Sequence, residues 1–124
     1  MKIRVVLLAA ILFGVAPVSS YASTANELLR SCEILLRTPR QSEDTIGLTD
    51  AANRCFFYFM GIQDASLLIG ADGKRMLDVC PPPQSRLTQL VRVFVEFARK
   101  NPAKLHLNAA GITVDALSEA FPCQ

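Results

Sequence analysis

The 124-residue sequence predicts an all-α fold, a small disulfide-bonded helical bundle of about four helices. Apolar residues recur every three to four positions in four separate segments, which is the spacing of one helix face. The sequence shows neither the strand-like alternation of apolar and polar residues nor the dipeptides of tight hairpins. Four cysteines in so short a chain indicate covalent cross-links that support a modest core.

The first 22 residues have the pattern of a secretory signal peptide. Lys2 and Arg4 precede an apolar run over residues 5–16, and small residues follow up to Ala22. This order is that of a cleaved export signal, and the run is shorter than the roughly 20 residues that a membrane-spanning helix needs. We therefore expect cleavage after Ala22 and a mature domain over 23–124 in an oxidising compartment.

Cleavage of this segment changes the charge of the protein. The full chain has 13 basic and 11 acidic residues, and removal of Lys2 and Arg4 leaves 11 of each. A formally neutral domain lacks the basic surface that binds nucleic acid, and the sequence has no Lys/Arg cluster suited to anionic membranes. We expect no nucleic-acid partner and, after cleavage, no membrane partner.

The first mature segment predicts a helix over about 25–37. Thr24 and Glu27 have the spacing of a capping box, in which each side chain accepts from the other's backbone N–H. The helix ends before Pro39, because a residue that precedes proline avoids the helical region. Its apolar stripe contains Leu28, Leu29, Cys32, Leu35 and Leu36.

A polar loop from Arg40 to Gly47 leads to a second helix that is capped by Thr49 or Asp50. The predicted buried stripe contains Ala52, Cys55, Phe56, Phe59 and Ile62. Further apolar side chains lie outside this stripe, namely Phe57, Tyr58 and Met60. A helix that is apolar on nearly all sides is either central or in contact with a partner. Gly61 within it either permits close approach of another helix or is simply tolerated.

The second half of the chain predicts two more helices. Three prolines after Cys80 form a stiff extended connector. An amphipathic third helix over about 85–100 follows and ends before a proline, and a short turn is expected over 102–105. Asn108 then caps a last helix over about 109–120.

The heights of the cysteines on the predicted helices favour one pairing among the three that four cysteines allow. The first two helices are joined by a short loop and should pack antiparallel. Cys32 then lies about five residues before the end of one helix and Cys55 about six after the start of the other, so their heights agree to about 2 Å. We expect Cys32–Cys55, which leaves Cys80–Cys123 as the second bridge.

The sequence offers little support for metal binding or catalysis. Zinc ligands usually come in pairs two to four positions apart, whereas no two cysteines are that close and His106 is the single histidine. With all four cysteines paired, no thiol nucleophile remains, and no serine has an evident base. We therefore predict no metal, no cofactor, no catalytic residues and no enzymatic activity.

Four ordered motifs span nearly the whole mature chain. They are Asn26-Glu27-Leu28-Leu29 leading to Cys32; Cys55-x-x-Tyr58-x-x-Gly61-x-x-Asp64-Ala65; Cys80-Pro81 followed by Gln89-Leu90-Val91-x-Val93 and Asn101-Pro102-x-x-Leu105; and Ala116-Leu117-x-x-Ala120-Phe121-Pro122-Cys123. As an ordered set they resemble the Rap/Tai family of immunity proteins against peptidoglycan amidases delivered by type VI secretion. Phe57 departs from the family pattern, in which a small residue usually precedes the tyrosine.

The resemblance implies a periplasmic, all-helical, disulfide-bonded protein that binds a cell-wall amidase effector and blocks its active site. A different class of function is a periplasmic helical binding or stress-chaperone protein without a cognate toxin. A chaperone would bind many unfolded clients, whereas an immunity protein would bind one folded toxin tightly.

The predicted partner-binding surface is the loop from Gly70 to Arg75. Its two glycines permit unusual backbone angles, and Asp72, Lys74 and Arg75 offer charges to a cleft. The alternatives are an ordinary solvated turn here and a binding surface in the Arg40–Gly47 loop. A homodimer would instead use the surplus aromatic residues, Phe57 and Tyr58.

Overall fold

The computed structural model describes residues 22–38 and 48–124, and within them it confirms the predicted all-α bundle of four helices. The predicted signal peptide up to Tyr21 and the Arg40–Gly47 loop lie outside the described residues. The helices are α1 (Ala25–Arg37), α2 (Asp50–Ala65), α3 (Leu87–Lys100) and α4 (Ala109–Ala120), with a 3-10 turn at Pro102–Lys104.

Side-chain caps fix the start of three helices, as their sequences predict. The hydroxyl oxygen of Thr24 accepts from Glu27 N at 3.3 Å, and Glu27 Oε2 accepts from Thr24 N at 3.0 Å, which completes the capping box. Thr49 caps α2 by accepting from Ala52 N. At α4, Asn108 Oδ1 accepts from the N–H groups of Ala110 and Gly111. These bonds satisfy amides that have no partner inside the helix.

The third helix begins at Leu87, two residues later than the predicted start near 85. The reason is local, because Ser85 N donates to Pro82 O at 2.8 Å and so belongs to the turn that closes the proline connector. Arg86 takes the N-cap position without a side-chain cap. The predicted turn over 102–105 is a 3-10 turn that ends one residue earlier, at Lys104.

The core lies where the four helices meet. Helix α1 packs most extensively on α2, α3 packs on α4, and α1 also contacts both α3 and α4. The largest fully buried apolar side chains are Phe59, Phe94, Leu28, Leu90, Leu117, Val79 and Val91. Backbone bonds tie the starts of α1 and α4 together, with Ala25 N donating to Leu107 O and Ala109 N to Ser23 O. The segments that precede α1 and α4 are thus joined at this end of the bundle.

Both predicted disulfides are confirmed. Cys32 and Cys55 join α1 to α2 with Cα atoms 5.0 Å apart, and both residues are fully buried. Cys80 and Cys123 are also 5.0 Å apart and join the proline connector to the chain after α4, where both are partly buried. The observed Cys32–Cys55 bridge agrees with the antiparallel pairing of α1 and α2 on which the sequence prediction was based.

The two aromatic residues predicted to widen the apolar surface of α2 behave differently. Phe57 is 59% exposed, whereas the Tyr58 ring packs against the core beside Phe59. One residue along a helix is a rotation of about 100°, so neighbours cannot share a face. Burial raises the pKa of Tyr58, and the hydroxyl of Thr113 opposes only part of that rise.

No helix of the described residues is long and apolar enough to cross a bilayer.

Candidate functional site

The segment between α2 and α3 contains a short antiparallel turn, which we call the 67–76 loop. Met76 N donates to Leu68 O at 3.0 Å, and Gly70 N donates to Lys74 O at 2.8 Å. Ile69 and Arg75 form an isolated β-bridge between these two bonds. The loop therefore has a defined backbone although it contains neither helix nor strand.

The tip of the loop requires glycine and a carboxylate. Gly73 has a φ of +76°, a conformation that side chains with a Cβ rarely adopt. Asp72 Oδ1 accepts from Lys74 N at 3.1 Å, and a Cβ on Gly70 would lie only 2.9 Å from that same oxygen. Asp72 therefore shapes the turn, whereas the Lys74 side chain is exposed.

Arg75 points back into the protein and anchors the loop to α2. Its Nη1 donates to the carbonyl oxygen of Ser66 at 2.7 Å. Ser66 is the C-cap residue of α2 and is only 2% exposed, so this bond occupies a carbonyl at the end of the helix. Of the three predicted binding residues, the structure brings all to one loop, but it gives Asp72 and Arg75 intramolecular partners.

The loop also exposes a set of apolar side chains, which the sequence prediction missed. The exposed apolar set consists of Leu67 (63% exposed), Leu68 (54%), Ile69 (56%) and Met76 (65%). Contiguous exposed apolar surface on a soluble protein commonly marks an interaction site. The sequence indicates only that three consecutive apolar residues follow the end of α2, and such a run does not reveal whether its side chains are buried.

The Cys80–Cys123 disulfide holds the segment that follows the loop, residues 79–80, which we call the foot of the loop. Val79 is 1% exposed and forms a β-bridge with Pro122, and Cys80 N donates to Phe121 O at 2.9 Å beside the disulfide. Between this foot and the loop lies a cleft of about 430 Å³. It is lined by Ile69, Gly73, Lys74, Arg75, Asp78, Cys80, Cys123 and Gln124. The loop thus projects from a base that cannot easily shift.

The described residues do not form a catalytic constellation. His106 is exposed and lines a shallow depression with Thr24, Asn26, Pro102 and Leu105. The hydroxyl of Thr24 already accepts the capping bond of α1, and none of the other lining residues is a nucleophile or a carboxylate. No group of three or more His, Cys, Asp or Glu side chains in the described ranges could hold a metal ion.

The loop therefore offers an apolar surface for binding, with the exposed cation of Lys74 at its tip. A protruding, preorganised element of this kind loses little conformational entropy on association. The rival surface, the Arg40–Gly47 loop, is not among the residues that the structure describes.

Comparison with known proteins supports this interpretation of the chain as a binding protein. Neither the curated proteins nor the solved structures contain a match. A family model described as Rap1a immunity proteins matches residues 24–123, from the N-cap of α1 to the last cysteine. Because this match covers far more than half of the sequence, the chain belongs to the family of Rap1a immunity proteins.

Proposed function

We propose that this protein is a periplasmic immunity protein that binds and occludes a peptidoglycan amidase toxin delivered by type VI secretion. The family match over residues 24–123 carries the proposal, since it identifies an immunity protein and such proteins act by binding an effector. The amidase as target comes from the resemblance of the four sequence motifs. The protein performs no chemistry of its own in this scheme.

The 67–76 loop is the element that we propose to enter the toxin's active-site cleft. It combines exposed apolar side chains, which gain free energy when a cleft removes them from water, with the exposed ammonium group of Lys74. The Arg75–Ser66 bond and the Cys80–Cys123 disulfide hold it in place. Hot spots of protein interfaces are clusters of this kind, desolvated at the centre of the contact.

A pair of leucine variants tests this surface. Leu68→Asp places a charge in the exposed apolar set and should weaken binding to the cognate amidase toxin at least tenfold, which is about 1.4 kcal/mol. The matched control is Leu107→Asp, because Leu107 is 43% exposed but lies outside the loop, in the segment whose backbone bonds to the start of α1. Isothermal titration calorimetry with the purified mature proteins measures both affinities.

Alanine variants of the charged residues distinguish direct contact with the toxin from an effect on the shape of the loop. Lys74→Ala removes an exposed side chain that has no hydrogen bond or ion pair among the described residues, whereas Asp72→Ala and Arg75→Ala also remove the bonds that shape and anchor the loop. We expect the triple variant to lose at least tenfold in affinity while its far-UV circular dichroism stays unchanged. Unchanged affinity in the triple variant and in Leu68→Asp would move the binding surface to the Arg40–Gly47 loop.

A stress chaperone is the second candidate, because exposed apolar side chains can also bind unfolded clients. The two functions differ in selectivity. An immunity protein forms a one-to-one complex with one folded amidase and rescues cells that express that amidase in the periplasm. A chaperone instead suppresses aggregation of several unrelated denatured proteins, so light scattering of two such clients in the presence of this protein distinguishes the two.

Export to the periplasm is part of the proposal. It is supported by the charged, apolar and small residues of the first 22 positions and by two disulfides, which persist in oxidising compartments. Intact-mass analysis of a periplasmic extract should find a chain that begins near Ser23. A periplasmic product that retains Met1 would contradict it.

A further inference from the structure

Met76 holds a central position in the exposed apolar set of the 67–76 loop. Its N–H donates to Leu68 O at 3.0 Å, and Ile69 and Arg75 form the neighbouring β-bridge, so Met76 and Leu68 lie directly opposite each other. Opposite residues of an antiparallel pair have their side chains on the same face. The Met76 and Leu68 side chains therefore lie side by side on one face of the turn.

The thioether of Met76 is open to solvent. At 65% exposure, Met76 is the most exposed of the large apolar residues that the structure describes. Its Cγ lies 3.9 Å from the position that a Cβ on residue 70 would occupy, and Gly70 has no side chain that could cover it. A small oxidant can therefore reach the sulfur atom directly.

The two methionines of the predicted mature chain are its only sulfur atoms outside disulfides. All four cysteines are paired, so no thiol competes for an oxidant, and the sequence has no tryptophan. Apart from Met1, the methionines are Met60 and Met76. Met60 is 41% exposed and lies in α2, outside the loop. Of the two, Met76 is the more exposed, and it is the one on the proposed binding surface.

We propose that Met76 is an oxidation site at which hydrogen peroxide switches off binding of the toxin, an inference that rests on the proposed function. A lone pair of the thioether sulfur attacks one peroxide oxygen, the O–O bond breaks and an S–O bond forms. The leaving oxygen takes up the proton and departs as water. Methionine is thereby oxidised by two electrons to the sulfoxide, and the peroxide is reduced.

Oxidation changes what the loop can bury. The thioether is apolar and flexible, so it adapts to the shape of a partner, whereas the sulfoxide is polar and chiral. Closure of an apolar contact over Met76 and Leu68 would leave the sulfoxide oxygen without a hydrogen-bond donor, and an unsatisfied polar group weakens the complex. Because methionine sulfoxide reductases restore the thioether, the loss of binding is reversible.

Peroxide treatment of the mature protein tests the site. Isothermal titration calorimetry first measures the affinity of the untreated protein for the purified amidase, and treated samples are desalted before titration so that the toxin meets no peroxide. Peptide mapping should find Met76 converted before Met60, and affinity should fall at least tenfold as Met76 is converted. Treatment with reductases for both sulfoxide epimers should restore it.

Paired variants at the two methionines distinguish Met76 from other targets of peroxide. Met76→Leu keeps an apolar side chain of similar volume and should bind normally before and after treatment, whereas Met60→Leu should lose affinity on treatment as the wild type does. Met76→Gln is polar without any oxidant and should bind at least tenfold more weakly, whereas Met60→Gln should bind normally. Circular dichroism checks that all four variants remain helical.

Two results would overturn the oxidation site alone: full affinity with Met76 completely oxidised, or a loss of affinity in treated Met76→Leu equal to that of the wild type. Absence of binding in the untreated wild type would instead contradict the proposed function, and the oxidation switch with it.

Discussion

The two disulfides of this protein support two different kinds of structure. Cys32–Cys55 lies inside the helical body, where it is fully buried, whereas Cys80–Cys123 lies at the foot of the 67–76 loop and is partly exposed. Leu28 and Leu29 of α1 are buried, but Leu67 and Leu68 at the start of the loop are more than half exposed. The helical body is thus stabilised by packing, and the loop by backbone hydrogen bonds, one arginine and a covalent bond.

The strongest test of this comparison, with the largest expected effect, is the loss of stability when each disulfide is removed. Replacement of Cys32 and Cys55 by alanine should lower the free energy of unfolding by about 4 kcal/mol, and replacement of Cys80 and Cys123 by about 2–3 kcal/mol. The sequence separations of the two bridges are 23 and 43. Chain entropy alone therefore predicts that Cys80–Cys123 stabilises the protein more than Cys32–Cys55, by about 0.6 kcal/mol. Loss of two fully buried sulfur atoms leaves a cavity that outweighs this difference.

Urea denaturation of the two double variants measures which disulfide contributes more to the free energy of unfolding. If the Cys80/Cys123 variant were the less stable of the two, chain entropy would dominate over burial. In that case the loop and its foot would contribute more to global stability than their exposure indicates.

A single leucine replaced in each region gives a smaller but sharper contrast. Leu28 is 2% exposed in α1, so Leu28→Ala should cost about 3 kcal/mol of unfolding free energy. Leu68 is 54% exposed in the loop, and Leu68→Ala should change it by less than about 0.5 kcal/mol. Both values come from chemical denaturation with the same substitution, so side-chain size cancels. Equal costs would show that the loop packs on the body in solution.

The smallest expected effect concerns Tyr58, which becomes the single tyrosine of the chain once residues 1–22 are removed. Its ring packs in the helical body, and burial holds its pKa above the ordinary value of 10.0. The unfolded chain therefore loses this proton at lower pH than the folded one. The associated stability is fully present below pH 10 and declines as the pH rises from there towards the folded pKa.

Tyrosinate absorbance follows this titration without interference, because the sequence contains no tryptophan. The midpoint should lie above that of the same protein in urea. A native midpoint equal to the denatured one would mean that water reaches the hydroxyl group, contrary to the contrast between Tyr58 and its exposed neighbour Phe57.

Much of the helical body could be predicted from the sequence because its signals are local. The capping box at Thr24, the cap at Asn108 and apolar positions three to four apart each depend on residues within one or two turns. The pairing of Cys32 with Cys55 followed from two helix lengths and one short connection. The predicted start of α3 was wrong by two residues, because the turn at Ser85 depends on the proline segment before it.

The candidate site could be predicted only in outline. Composition placed a glycine-rich turn at 70–74, but the side-chain partner of Arg75 is a carbonyl oxygen nine residues earlier, which no periodicity reveals. Likewise, whether consecutive apolar residues are buried depends on what packs over them in three dimensions. Neither fact is available before the path of the chain between α2 and α3 is known.

The order of the cysteines has a consequence for biogenesis. Each bridge joins neighbours along the chain, the first cysteine to the second and the third to the fourth, without interleaving. A polypeptide that crosses a membrane with its N-terminus first presents its thiols in this same order. An oxidase that joins each newly emerged thiol to the preceding unpaired one therefore produces the native connectivity directly. With the export that we propose, disulfide formation in this protein should accordingly require an oxidase but no disulfide isomerase.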